Sequence, residues 1–307
     1  MKKKKYDIDC LGMGIIPFDL LFTVDNFPTS GKKIDAQSFI MQGGGPVPNV
    51  CIGLTRLGYK SALIATVGND PFGKLMLDEL KNENVVTDYM IVKKDPTALA
   101  SGFIEQGSGD RTLVLSRKIF VKPNDINLSK LPIPKIIHLD GRDMPASLKL
   151  AKWAKKNSVI VSFDIGSMRN DVSEVFPYVD HLVVADQYAF GFTKTTRAKQ
   201  AITKLRDYCS GTIVVTEGIK GSTGLEAGKS EYVYQDAFKV ENIDTTGAGD
   251  AYHTGYLYGL LKGFDLQTRM HYGAAAAAFK CTKPGARTGI PTLNQLKRFI
   301  NSNPERY

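Results

Sequence analysis

The chain has 307 residues, 43% hydrophobic and 23% charged, enough to bury the core of one large α/β domain or two small ones and too apolar for a disordered chain. Forty Lys+Arg against 31 Asp+Glu leave a net charge of +9. The excess is scattered Lys, part of it in Lys2 to Lys5, with no Arg/Lys/aromatic stripe along one element, which reads as a solvated basic surface, argues against nucleic acid and leaves a lesser reading as a field that attracts a phosphorylated small molecule.

No run of 18 apolar residues occurs, so no membrane span is expected. The basic start is followed by Asp7 and Asp9 without a small-residue cleavage site, which is not the pattern of a signal peptide. Cys10, Cys51, Cys209 and Cys281 lie far apart without a CxxC pair. They read as reduced thiols of a cytoplasmic protein, neither a disulfide frame nor a zinc site.

In chain order, IDCLGMG (8–14) reads as a buried strand, 15–42 alternates polar and apolar residues with turns, and 47–57 has a helical period. SALIATVG (61–68) is a second strand, 71–83 a helix, and 96–121 again alternates, as in TALASGFIEQGSGDRTLVLSR. KIIHLDG (135–141), SVIVSFDIG (158–166), HLVVA (181–185) and GTIVVTEG (211–218) read as further strands, with helices at 145–156 and 197–209. Helical patterns at 247–262, 266–281 and 292–302 fill the last third. Strands joined by crossover helices of this length predict an α/β fold, a mainly parallel sheet covered on both faces. The stretches 15–42 and 96–121 predict exposed antiparallel strands, a small sheet that projects from the core and acts as a lid excluding water. Without an internal repeat or linker, residues 1–307 read as one domain carrying that lid.

The segment ENIDTTGAGDAYHTGYLYGLLKG (241–263) carries the strongest signal. Asp244-Thr245-Thr246 ends an extended stretch, Gly247-Ala248-Gly249 turns, and an apolar helix starts near Asp250. Amides at a helix start have no intrahelical partner and sit at the positive end of the dipole, an anion hole suited to a transferring phosphoryl group. Asp250 stands in the same turn, placed to take a proton from a hydroxyl nucleophile. Taken alone, GAGD is as well explained by an ordinary helix cap. A second segment, QGGGPVPNVCIGLTRLG (42–58), puts Gly43, Gly44 and Gly45 just ahead of Asn49 on a helix. Close backbone approach beside a carboxamide suits a polyol.

Together the two segments resemble the signatures of the ribokinase-like, or PfkB, family of carbohydrate kinases: Gly44-Gly45-Pro46-Val47-Pro48-Asn49 through Arg56-Leu57-Gly58, and D-T-x-G-A-G-D at 244–250. VGNDPFG (67–73), HLDGR (138–142), VVTEGIKG (214–221) and FKCTKPGARTGIPT (279–292) resemble family blocks in the same order. IHLDGR, GDAYHTGY and KCTKPGARTGIP resemble the fructokinase/ketohexokinase-like branch.

The resemblance implies a three-layer α/β/α ribokinase-like fold with a β-sheet lid, and transfer of the ATP γ-phosphate to a hydroxyl of a sugar such as fructose or a related carbohydrate. It implies Asp250 as base and Gly247, Ala248 and Gly249 as anion hole. Asp19, Gly44, Gly45 and Asn49 are implied to hold the acceptor, and Thr216, Gly218 and Gly221 to lie under the nucleotide. Cys281 and Gly285 fall in the segment that borders the adenine or a monovalent-cation (K+) site. Mg2+ accompanies ATP, and a homodimer formed through the lid is the expected assembly. One departure is plain: where many relatives carry N-x-x-E, this chain has Ala185 and Tyr188, so metal help there falls to Asp186 through water. A nucleoside kinase, a phosphofructokinase-type enzyme and a non-catalytic sugar-binding regulator remain alternatives.

Arg111, at the lid turn GSGDRT, and Arg142, after IIHLD, are candidates to bind a phosphate or carboxylate on the acceptor. His253, one turn after Asp250, reads as a packing residue. Two motifs read as decoys. Gly224 to Ser230 imitates a phosphate loop but is followed by strand alternation, so it reads as a hairpin, and Gly12 to Pro17 lacks the third glycine of a dinucleotide fingerprint.

Overall fold

The computed structural model describes residues 6–107, 111–167 and 171–303. Its elements in chain order are β1 (Ile8–Met13), β2 (Phe18–Val24), β3 (Ser38–Gly43), α1 (Pro46–Arg56), β4 (Ser61–Ile64), β5 (Thr66–Gly68), α2 (Pro71–Asn82), β6 (Ile91–Lys93), β7 (Leu99–Glu105) and β8 (Arg111–Ser116). They continue with β9 (Pro134–Leu139), α3 (Met144–Lys156), β10 (Ile160–Ile165), β11 (His181–Ala185), α4 (Asp186–Thr193), α5 (Ala198–Leu205), β12 (Thr212–Thr216), β13 (Ser222–Leu225), β14 (Tyr232–Gln235), α6 (Ala248–Lys262), α7 (Leu266–Cys281) and α8 (Leu293–Ser302).

Eight strands form the central sheet in the order β14-β13-β12-β11-β10-β9-β1-β4. From β12 to β4 every pairing is parallel, and β13 and β14 add an antiparallel hairpin at one edge. Period-2 alternation splits each strand between two cores. Leu11, Ile137, Leu182 and Ile213 face α3, α4 and α5, whereas Cys10, Ile136, Val183 and Val214 face α1, α6 and α7. The result is the expected three-layer α/β/α arrangement. Gly12 and Gly14 belong to this packing: a Cβ on Gly12 would meet Val47 and Cys51 of α1, and one on Gly14 would meet Asp140. They let α1 lie close on β1.

The structure differs from the expectations in four places. The stretch 61–68 is two strands, because β5 leaves the central sheet to pair with β6. Residues 186–193, unassigned from sequence, form α4. The small sheet, ordered β3-β2-β7-β8, is not wholly antiparallel: two antiparallel hairpins join through the parallel pair β2–β7. Finally, the sheet surface beneath α6 is polar. His138, Ser162, Asp164 and His181 alternate with the apolar residues there, and all are buried. His253 of α6 pairs with Asp164 (Nε2 to Oδ1, 3.1 Å), and the His181 Nδ1 lies 3.0 Å from the Tyr256 hydroxyl.

Burial, aided by the positive charge of Arg269, pushes the His181 pKa down to about 3. The unfolded chain therefore binds a proton between pH 6.5 and 3 that the folded chain refuses, so stability falls as pH drops through that window. His181→Gln is expected to lose about 2 kcal/mol less than the parent between pH 7 and pH 5, measured by urea unfolding. Equal losses in the two proteins contradict a neutral His181.

Candidate active site

Parallel strands place the C-terminal ends of β1, β9, β10, β11 and β12 along one edge, where open α/β sheets bind ligands. The N-termini of α1 and α6 meet at the same place. Gly45, the residue capping α1, has φ 96°, and a Cβ there would stand 2.1 Å from the Ile15 carbonyl oxygen, so only glycine turns this corner. Gly247, the cap of α6, adopts φ 78° and lies against Ala286.

Across 201 positions of sequence a hydrogen bond joins the two helix starts: the Asn49 Nδ2 donates to Asp250 Oδ2 at 2.6 Å. Asn49 is buried and Asp250 is half-buried. Gly249 beside it is exposed, with open space where a side chain would stand. As second residue of α6, its N–H lies ahead of the helix ladder and points out. The Ala248 N–H donates to the Thr245 carbonyl at 3.0 Å in the turn that opens α6.

Asn49 is oriented by a residue that the sequence reading missed. Arg287 Nε donates to Asn49 Oδ1 (2.9 Å), its Nη2 donates to the Gly44 carbonyl (3.0 Å), and its Nη1 pairs with Glu79 Oε2 (2.8 Å). Glu79 in turn accepts the Gly43 N–H at 2.9 Å. The glycines of the loop follow from this packing. A Cβ on Gly43 would fall 1.9 Å from Arg287 Nη1, and one on Gly44 would fall 2.3 Å from the Asp19 carboxylate. Asp19, on β2, thus lies against the glycine loop that leads into α1 and Asn49. Gln42, buried near the end of β3, has no hydrogen bond to its carboxamide among the described residues and faces Gly285. Arg287, Glu79 and Gln42 could have been found only by knowing that residues 285–289 close over the glycine loop.

The loop ahead of α6 is fixed by Asp244. Its carboxylate accepts the Thr246 N–H (2.8 Å) and the Gly285 N–H (2.7 Å). Burial alone would raise its pKa, but these bonds and the Lys280 ammonium outweigh it and hold the carboxyl below its ordinary range. Cys281 acts through its backbone: its carbonyl accepts the Ile243 N–H at 2.8 Å. Gly285 has φ 77° and belongs to the same clamp.

At the ends of β11 and β12 the surface is more open. Gly218 and Gly221 take φ 58° and 90°, the Glu217 N–H donates to the Gly221 carbonyl at 2.8 Å, and the Thr216 hydroxyl turns to Val184. Ile219 is 97% exposed on this loop. Burial and then the charge of Asp186 raise the pKa of Glu217, a pair of carboxylates without a neutralising partner strong enough to reverse the shift. Tyr188 turns into the core and stacks on Phe192, away from the edge. Arg142 follows β9, its N–H donating to Asp140 Oδ1 (2.9 Å), while Asp140 Oδ2 accepts the Ile15 N–H, so Arg142 stands at the shared edge of β1 and β9. The Arg111 side chain lies outside the described residues.

A family model described as pfkB family carbohydrate kinase matches residues 7–293. Among curated proteins, a 5-dehydro-2-deoxygluconokinase of Clostridium botulinum is 25% identical, spanning 100% of this chain and 96% of the relative. The 5-dehydro-2-deoxygluconokinase of Bacillus subtilis is 24% identical over 98% of both chains. Among solved structures, ribokinase from Thermotoga maritima is similar in fold with a TM-score of 0.84 at 23% identity, covering 96% of this chain and 99% of that one. Ribokinase of Arabidopsis thaliana, complexed with ribose and ATP, has a TM-score of 0.84 at 22% identity and covers 95% and 98%.

Arg287→Met, which removes the guanidinium while keeping an apolar stem, is expected to lower kcat about 10²-fold, the scale of a reacting group displaced by about 1 Å. A kcat within twofold of the parent contradicts an orienting role for Arg287.

Proposed function

Because the chain belongs to the pfkB family of carbohydrate kinases, we propose that it transfers the γ-phosphoryl group of ATP to a hydroxyl of a keto sugar, and that its preferred acceptor is a keto-sugar acid. The observation that carries the reading is the 2.6 Å contact that holds Asp250 at the exposed glycine turn. The acceptor rests on Asp19 and on the Gly44–Gly45 backbone beside Asn49. Asp250 takes the proton of the attacking hydroxyl, the oxygen bonds to the γ-phosphorus, and ADP leaves with the bridging oxygen. Gly249 and its neighbours at the start of α6 face the charge that develops on the equatorial oxygens.

Mg2+ supplies neutralisation of the ATP phosphates when bound. Asp186 and Glu217 would hold it through its waters. Thr216, Gly218 and Gly221 lie under the nucleotide, with Ile219 offering an apolar surface to the base.

The choice of acceptor rests on two supports. The curated relatives are named for 5-dehydro-2-deoxygluconate, a sugar acid with a ketone. Arg142 stands at the edge where β1 and β9 end, and its planar fork matches a carboxylate. We further place pairing of two chains at the small sheet, which exposes Phe39, Met41 and Val114, and we place the enzyme in the cytoplasm.

Asp250→Asn is expected to lower kcat by about 10²–10⁴ with ATP affinity little changed, and near-parental turnover removes Asp250 as the base. A coupled ADP-release screen over ketoses, aldoses, sugar phosphates, keto-sugar acids and nucleosides should give the highest kcat/KM to a keto-sugar acid. Arg142→Gln should then raise KM for that acid about tenfold or more and leave a neutral ketose unaffected. Preference for a nucleoside sinks the acceptor reading.

A further inference from the structure

A monovalent cation is implied beside the loop that precedes α6, and the residues present there do not fit one. Lys280, the penultimate residue of α7, is wholly buried, with no exposure to solvent. Its ammonium donates to the Asp244 backbone carbonyl and stands 3.8 Å from Asp244 Oδ2. The side chain is enclosed by the segment that follows it: a Cβ on Gly289 would meet Lys280 at its carbonyl oxygen, Cγ and Cα. We infer that the Lys280 ammonium is the permanent cation of the Asp244–Gly247 loop, and that the kinase therefore works without K+.

Three physical facts support this. The loop's buried negative charge, Asp244, is already balanced by one positive charge from within the chain, and a second unit charge within a few ångströms of Nζ would be repelled. The ammonium sits in the last turn of α7, where the helix carbonyls and the dipole favour a cation. It presents several donors to a carbonyl and a carboxylate, which is the ligand set a hard monovalent ion would otherwise take. The same contact matters for the reaction. Asp244 and Thr246 directly precede Gly247, so a fixed charge on the Asp244 carbonyl holds the loop that aims the start of α6. Lys280 touches neither substrate nor nucleotide on this reading; it is a positioning residue.

The test is a salt series at constant ionic strength, with KCl, NaCl and tetramethylammonium chloride, read by kcat and by Tm. The parent enzyme is expected to vary less than twofold in kcat among the three salts, with the same Tm in each. Lys280→Ala opens a space of the ammonium's size at the same oxygens. Its kcat should fall about tenfold or more in tetramethylammonium chloride and recover about fivefold or more in KCl or ammonium chloride, with a Tm that now rises with K+, the scale of a coupled binding site. A merely structural lysine would give a loss that no cation restores, and that result overturns the inference. Activation of the parent fivefold or more by K+ overturns it as well, and decides the matter even if Lys280→Ala does not fold. The series assumes phosphoryl transfer only. If the acceptor proposed above is wrong, the same salt profile is read on whichever acceptor supports turnover, so the two readings fail separately.

Discussion

The hydrogen bond from Asn49 to Asp250 is the constraint on which the site depends. It ties the start of α1, which ends the glycine loop, to the start of α6, which carries the carboxylate and the open amides. Neither helix start has a polar side-chain cap of its own; Gly45 and Gly247 occupy the cap positions. Each end is therefore held by tertiary contacts. Arg287 supplies most of them for α1, joining Asn49, Gly44 and Glu79 through one rigid guanidinium. A lysine has no fork of this shape, and a Cβ on Gly43 would collide with it.

The second half of the clamp is Asp244. Its two oxygens are divided between the Thr246 amide, just ahead of α6, and the Gly285 amide, just after α7. The segment 281–289 thus touches both helix starts: Gly285 through Asp244, Arg287 through Asn49. Arg56, near the end of α1, closes the circuit by donating to the Arg287 and Ile290 carbonyls (2.7 and 2.9 Å) while pairing with Glu83. The buried Arg287 and Asp244, with the partly exposed Arg56, Glu79 and Glu83, are each bonded to a partner, and this network fixes positions.

The architecture was legible in the sequence because apolar runs and helical periods alternate cleanly, and the boundaries of α1, α2, α3, α6, α7 and α8 fall within a residue or two of the expected ones. The misses have physical reasons. A run such as SALIATVG gives no sign that its second half will leave one sheet for another, since both halves are equally buried. The parallel joint between two hairpins is a long-range pairing that local alternation cannot register. For the site, Asp19, Gly44, Asn49 and Asp250 were legible because short-range motifs carry them, and the fold brings them together. Arg287, Glu79, Gln42 and Lys280 escaped because a charged or amide residue looks solvated until the fold shows what surrounds it.

The polar layer under α6 explains why that helix can be nearly featureless in its apolar pattern and still sit in one register. Gly255 and Gly259 bring it against α7 at backbone distance, where a Cβ on Gly255 would meet the Tyr272 carbonyl oxygen at 2.1 Å. Such a smooth contact fixes separation and leaves sliding open. The keys that stop sliding are specific: His253 to Asp164 of β10, Tyr252 to Ser222 of β13 at 2.9 Å, and Tyr256 to His181 of β11. Three strands thereby set the axial position of one helix. Its first turn, with Asp250, is then delivered to Asn49 already aligned. If Asp250 is the base, as proposed, it needs no rearrangement when charge develops, which is what electrostatic stabilisation of a transition state requires. The buried histidines, which look like an extravagance in a core, are the means by which the sheet aims the helix.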